Sequence, residues 1–450
     1  MPPKRPYTRA PTVLRRLAGG SPGSLISELR RPETMQAGGL AIATLISNAV
    51  QLVIVVVFTH LLGADDYGSL AALMSAFLIL LVGGQALQVA AARETALGHM
   101  GEGHRLSATI HAWSRRLLLA TVAIAAAGYV LRAPLGHLVG VPDHGLAAAT
   151  ILPTGVLWML LSLQRGVLQG LRRYRAVGIS LVTEAAGRLV FGVGLVLGGA
   201  GVTGAFLGTP LTMALTAIGM AVVLRRRLGH PEGAPAMRSL RALTAGAWAP
   251  IAGLGLLALM QNVDVIIVKH RIGGDAAGSY AAASVAAKAV VWVAIGLALQ
   301  LLPEATARVA AGLNPKPVLR RALAVGGAVA LPALVIFAAA PTLLMRVVFG
   351  DDLTQAHRAL PVLALAMTLL AASYLTVQYL IALGSTGYLW VLGLVALAEP
   401  FVLAAGDFTL YSYAVAVLVL QAIACAGVVA LAVRTRVPRP ATVRPATAQT

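Results

Sequence analysis

Charge is scarce in this chain. Only 11% of its 450 residues are charged while 58% are apolar, too few charges to coat a soluble protein of this size. Cysteine is scarcer: the single Cys425 excludes an intrachain disulfide and any cysteine-rich metal site. No Walker A sequence, HExxH run or paired cysteine motif occurs. ATP hydrolysis and zinc chemistry therefore have no support, and no cofactor or metal is expected. Acids are the scarcer sign, 16 Asp and Glu against 35 Lys and Arg, for a net charge of +19. In a soluble protein that excess suggests nucleic acid. Here no basic soluble domain exists to carry it, so no nucleic-acid partner is expected.

What the chain has instead is apolar length. Its mean hydropathy is +0.83, and the apolar residues come in blocks of about 20 to 28, enough to cross a hydrocarbon core of about 30 Å as a helix. The expected spans are 36–62, 67–92, 108–131, 145–169, 177–199, 202–224, 244–270, 276–303, 318–345, 356–383, 387–405 and 408–433. They read as helices, because backbone in lipid must satisfy its own hydrogen bonds and the blocks are too long and continuous for barrel strands. The fold class is therefore an all-α membrane protein with about 12 transmembrane helices. Pro153, Pro210, Pro250, Pro332 and Pro361 fall inside spans and mark candidate kinks.

Basic residues explain the net charge and set the orientation. About 28 of the 35 Lys and Arg fall in alternate connections on one side, among them Arg105, Arg172, Arg225–Arg227 and Arg308, against about five on the other (Arg132, Lys269, Arg271, Arg346 and Arg358). The positive-inside rule then puts both termini in the cytoplasm. The N-terminus lacks an apolar core with a small-residue cleavage site and reads as a cytoplasmic tail. The Ala, Arg, Gly and Pro bias fits a GC-rich bacterial source. The expected organisation is a basic tail over 1–35, a six-helix bundle over 36–224, a cytoplasmic linker over 225–243, a second bundle over 244–433 and a tail over 434–450.

The two bundles are repeats. At an offset of 210, FTHLLGADDYGSLAA at 58–72 faces VKHRIGGDAAGSYAA at 268–282. His60 then matches His270, Gly63 matches Gly273, Asp65 matches Asp275 and Gly68 matches Gly278, with Gln51 and Gln261 upstream and Glu94 and Glu304 downstream. Repeats displaced by six spans share one orientation, so their pseudo-twofold axis is expected along the membrane normal.

The first hairpin (FTHLLGADDYGSLAALMSAF), the start of the second half (QNVDVIIVKHRIGGDAAGSYAAASV) and FGDDLTQAHRALPVLALA at 349–366 resemble the O-antigen type polysaccharide flippases of the multidrug/oligosaccharidyl-lipid/polysaccharide exporter superfamily. The resemblance implies two bundles in a V around a cavity that opens alternately to each side. It also implies an undecaprenyl-pyrophosphate-linked oligosaccharide as substrate, with a glycan polymerase or glycosyltransferases of the same pathway as partners.

Charges within the spans are the candidate site. Arg188 and Lys288 lie near mid-span, where an insertion cost of roughly 2.5–3.5 kcal/mol favours a cavity or a partner. They are expected to attract a lipid pyrophosphate, with Gln51, Gln261 and Asn262 as further substrate contacts. The alternative for Arg188 is a salt bridge to Glu184, four residues earlier, and for Lys288 a pair with Asp264. Asp264, Glu184 and Glu399 are candidates for ion coupling, although pairing with a basic neighbour is the preferred role for Asp264. His60 and His270 are expected to pack at the outer rim rather than sense pH, and Gly194, Gly198, Gly204 and Gly208 to allow close helix packing. The run Arg225–Arg227 reads as a topology signal touching anionic headgroups.

The expected function is thus flipping of a lipid-linked anionic glycan across the bacterial inner membrane. A cation-coupled multidrug antiporter is the nearer rival, disfavoured because Glu184 is the only deeply placed acid of the first six spans. A peptidoglycan-precursor flippase shares the mechanism with a different sugar. A membrane-embedded polymerase or ligase would need a larger outer loop, so no enzyme is expected.

Overall fold

The computed structural model describes residues 32–236 and 248–435. Most of both expected tails, linker residues 237–243 and the first residues, 244–247, of the expected second bundle lie outside the described residues. The first half contains α1 (Pro32–Leu62), α2 (Ala64–Ala96), α3 (Gly103–Val130), α4 (Arg132–Val139), α5 (Gly145–Gly170), α6 (Tyr174–Leu195) and α7 (Gly201–Leu228). The second contains α8 (Trp248–Arg271), α9 (Gly274–Ala310), α10 (Lys316–Ala339), α11 (Pro341–Phe349), α12 (Leu360–Ala382), α13 (Tyr388–Ala405) and α14 (Leu410–Arg434). No strand occurs among the described residues.

Among the described residues, ten segments are long and apolar enough to cross a membrane, and the bent pair α3–α4 makes up to 11. One of the ten, 174–228, contains both α6 and α7. The chain reverses between them at Gly199 (φ 87°) and Gly201 (φ 49°), a left-handed backbone that glycine adopts without strain. Separating those two helices gives the twelve long helices expected from the sequence. The first hairpin turns on Gly63 (φ 76°), and its repeat partner Gly273 (φ 65°) turns the corresponding hairpin in the second half.

The boundaries differ from expectation where short helices intervene. The ninth expected span, 318–345, stops at Ala339, and Pro341 opens the separate α11, because a proline cannot continue the preceding ladder but suits a first turn. The tenth, expected from 356, begins only at Leu360 after a 3-10 turn over Asp351–Leu353. In the first half the segment after α3 forms α4, bent from α3 by 83° and ended by Gly140 in the left-handed conformation. Each half thus reads long, long, long, short, long, long, long. Helix α7 runs to Leu228, so Arg225–Arg227 close a helix rather than open a linker. Pro153, Pro210 and Pro332 lie inside helices, as do Pro303 and Pro400, whereas Pro250 and Pro361 sit in first turns, where they break no hydrogen bond.

Packing follows the repeat. Helix α2 packs most extensively on α5, and its counterpart α9 on α12. Leu73, Phe77, Leu161 and Leu163 are buried in the first core and Leu363, Met367 and Leu380 in the second. Close approach of α6 and α7 uses Gly192 against Gly208, where a β-carbon on Gly208 would sit 2.6 Å from Gly192. Gly194 and Gly198, expected at that contact, face open space instead.

The halves join where the hairpin turns lie, the side that the charge asymmetry assigns to the exterior. There α2 meets α8 and α9. Lys269 pairs with Asp65 across the join. A β-carbon on Gly68 would stand 2.8 Å from the backbone nitrogen of Gly278. Gly140 packs on His270 and Gly350 lies against His60, so both histidines are rim-packing residues. Inside the second half, Ser279 donates to the carbonyl of Leu353 (2.6 Å) and accepts from the amide of Ala356 (2.7 Å).

Candidate functional site

Two polar clusters lie deep among the apolar helices, one in each half. The first is built on α5 and α6. Glu184 and Arg188 are one helical turn apart on α6, and Arg188 Nη2 donates to Glu184 Oε1 at 2.7 Å. The expected pairing therefore forms, yet it does not neutralise the site. Arg165 of α5, 1% exposed, donates to the other carboxylate oxygen of Glu184 at 2.7 Å. Its Nε and Nη2 also donate to the hydroxyl and carbonyl of Ser180 at 2.9 and 3.0 Å, and its guanidinium lies 5.6 Å over the Trp158 ring. Two guanidinium groups share one carboxylate, leaving a surplus of one positive charge in a low-dielectric environment.

Arg188 is the less committed of the two cations. Its Nη1 donates to Gln51 Oε1 of α1 at 3.1 Å, and its Nε has no partner among the described residues. Its side chain is 9% exposed against 1% for Arg165. Arg165 thus anchors the carboxylate, and Arg188 holds the donor still free.

The second cluster spans α8, α9, α13 and α14. Lys288 donates to Asn262 Oδ1 at 3.3 Å. The expected Lys288–Asp264 pair does not form, and Asp264 makes no ion pair among the described residues: its Oδ2 accepts from Tyr280 at 3.1 Å and Ser284 at 3.3 Å. The reason is position. Tyr280 and Ser284, one turn apart on the facing α9, present neutral donors to Asp264, while Asn262 takes the ammonium. Asp264 Oδ1 and both oxygens of the fully buried Glu399 have no partner among the described residues. Gln421 of α14 donates to the carbonyl of Met260 at 3.1 Å, leaving its own Oε1 unpartnered. Gln261, the repeat partner of Gln51, is half-buried and makes no side-chain hydrogen bond among the described residues.

The chemistry of the halves is therefore opposite in sign. Counting ionised forms, Arg165, Arg188 and Glu184 sum to +1, while Lys288, Asp264 and Glu399 sum to −1. A buried carboxylate without donors needs a counter-charge, which suits the second cluster to a proton or small cation. The first cluster suits an anion. No group of three His, Cys, Asp or Glu side chains arranged to hold a metal occurs among the described residues.

Sequence reasoning missed Arg165, Tyr280, Ser284 and Gln421. Arg165 lies five residues from Gly170, the end of α5, where a basic residue reads as a topology signal. Tyr280 and Ser284 meet Asp264 across a hairpin, at separations of 16 and 20 residues that no single-helix spacing rule covers.

A family model described as polysaccharide biosynthesis protein matches residues 36–303. No individually curated protein matches the sequence. Among solved structures the chain is similar to an inward-facing multidrug resistance MATE family transporter of the MOP superfamily, with a TM-score of 0.70 and 14% identity over 88% of this chain and 97% of that one. It is also similar to the lipid II flippase MurJ in an inward closed conformation, with a TM-score of 0.68 and 13% identity over 88% and 87%. Against an outward-facing multidrug resistance MATE family transporter the TM-score is 0.59, with 15% identity over 90% and 96%.

Proposed function

The chain belongs to the polysaccharide biosynthesis protein family, and on that premise we propose that it carries an anionic lipid-linked glycan, of the undecaprenyl-pyrophosphate oligosaccharide class, across the bacterial cytoplasmic membrane by alternating access. The observation that carries this reading is the surplus guanidinium of the Arg165–Glu184–Arg188 cluster. A fixed cation in a low-dielectric bundle focuses field on a passing pyrophosphate. Arg188, with one unpartnered N–H, supplies the donor. Lys288, bound only to the neutral Asn262, supplies the second cation, and Gln51, Gln261 and Asn262 supply neutral contacts for the headgroup.

The bundles 36–224 and 244–433 are the two moving bodies, with both termini in the cytoplasm. Contact at the hairpin-turn side and the closer likeness to inward-facing relatives support a state closed to the exterior. Asp264 and Glu399 are the site of the coupling proton or sodium ion, since both carry unpartnered buried oxygens in the half that has the negative balance. Surface glycan assembly then follows, with a polymerase or glycosyltransferases as pathway partners.

The same two carboxylates favour one rival, a cation-coupled drug antiporter, and the flippase reading extends equally to a peptidoglycan precursor. The test is export of labelled lipid-linked oligosaccharide from vesicles by wild-type protein, Arg188→Ala, Lys288→Ala and the double variant. Loss of export in the double variant, with drug efflux absent throughout, supports the proposal. Full export without both cations would end it, and efflux of cationic drugs driven by a sodium or proton gradient would install the antiporter in its place.

A further inference from the structure

A cavity of about 430 Å³ lies on the inner side of the first half, and contains none of the residues of the two buried clusters in its lining. Its walls are α3 and α7, its back is α5, and the first stretch of the linker borders its mouth. Its composition is graded. Ile110, Ile218 and Val222 give it apolar lining, His111 adds an imidazole on the α3 wall, and Arg225 and His230 line it at the end of α7 and the start of the linker. Ile218 and Arg225 are seven residues apart on α7, so the cavity extends about 10 Å inward from headgroup level. Gln164 at the back is 2% exposed, and its Oε1 has no hydrogen-bond partner among the described residues.

We propose that this cavity binds an anionic phospholipid of the inner leaflet, with its phosphate at Arg225 and the upper part of one acyl chain against Ile110, Ile218 and Val222. A basic mouth over an apolar shaft between transmembrane helices matches a lipid phosphate in both charge and depth. His230 adds a donor beside Arg225, and His111 adds a polar group on the facing wall. Arg226 and Arg227 follow on the same helical turn, yet neither lines the cavity, so the site is more than a basic stripe.

Occupancy has a mechanical consequence. The linker already docks on α3: Ser107 donates to the carbonyl of Gly229 (2.9 Å), His104 to that of His230 (2.9 Å), and the amide of Ala236 to Thr109 (2.9 Å). A lipid bridging Arg225 and His230 fastens the linker to α7 as well, at the point where the chain leaves one half for the other. This inference does not rest on the transported substrate.

The test is native mass spectrometry of the full chain titrated with phosphatidylglycerol, with phosphatidylcholine as the neutral lipid and soluble glycerol phosphate as the headgroup alone. Phosphatidylglycerol should bind in preference to phosphatidylcholine, weaken about fivefold in Arg225→Gln and change by less than about twofold in Arg226→Gln. Val222→Trp should remove the binding by filling the shaft, and glycerol phosphate should not compete. Equal weakening by the two arginine variants, no preference over phosphatidylcholine, or displacement by glycerol phosphate would each overturn the proposal.

Discussion

Gly68 and Gly278, equivalent positions of the repeat, lie against one another where the two halves join. Equivalent points of a twofold repeat meet only on the axis relating them, so the α2–α9 crossing marks that axis. The flanking contacts obey the same symmetry: His60 lies against Gly350, and His270 against Gly140, both pairs related by the 210-residue offset. The join is thus built from small residues at the centre and imidazole rings at the rim.

Substituting Gly278 by Ala should force α2 and α9 apart, because the added methyl would collide with the carbonyl of Ala64. Overpacking of this kind costs about 1–3 kcal/mol. Gly219→Ala, in open space, is the matched control. Thermal melting in detergent should fall for the first and not the second, and export should fall with it.

Removing the charge of Glu184 leaves Arg165 and Arg188 facing one another without a counter-ion. Breaking a buried pair by deleting one partner costs about 3–5 kcal/mol, so Glu184→Gln should be strongly destabilised. Adding Arg165→Gln removes one of the stranded cations and should recover part of the loss. A double-mutant cycle on melting reads the coupling directly, and additive losses would show that the two residues do not act through one another.

The Asp65–Lys269 pair predicts something milder. Asp65 is 57% exposed, and solvent screens such a contact to about 1 kcal/mol or less. Asp65→Asn should lower stability by no more than that, and the exchanged pair Asp65→Lys with Lys269→Asp should restore it. A loss several times larger in the single variant would point to a role beyond pairing.

Asp264→Asn and Glu399→Gln keep shape and remove charge. If these carboxylates hold the coupling cation, export by the double variant should lose its dependence on an imposed sodium or proton gradient while headgroup binding persists. Gradient-dependent export by that variant would move the coupling site elsewhere.

Much of this was legible in the residues themselves. Block length gave the twelve long helices, and the 210-residue offset located the pair Gly68/Gly278 that meets in space and the pair His60/His270 that flanks it at equivalent positions. Glu184–Arg188 was legible because helix periodicity alone brings i and i+4 together. Contacts made between helices were not. Arg165 reaches Glu184 from another helix, and Asp264 takes Tyr280 and Ser284 in place of Lys288. Short helix α4 escaped because Arg132 and His137 interrupt its apolar pattern, and the start of α11 was merged into the span before it because the apolar run continues across Pro341 as far as Arg346.

The turn before α2 is the single residue Gly63, and the turn before α9 is no longer than Ile272 and Gly273. Connections that tight leave no slack. Neither hairpin can part its arms at its turn, so any separation of the halves there must swing each hairpin as a stiff lever, with the largest travel at the ends far from the turns.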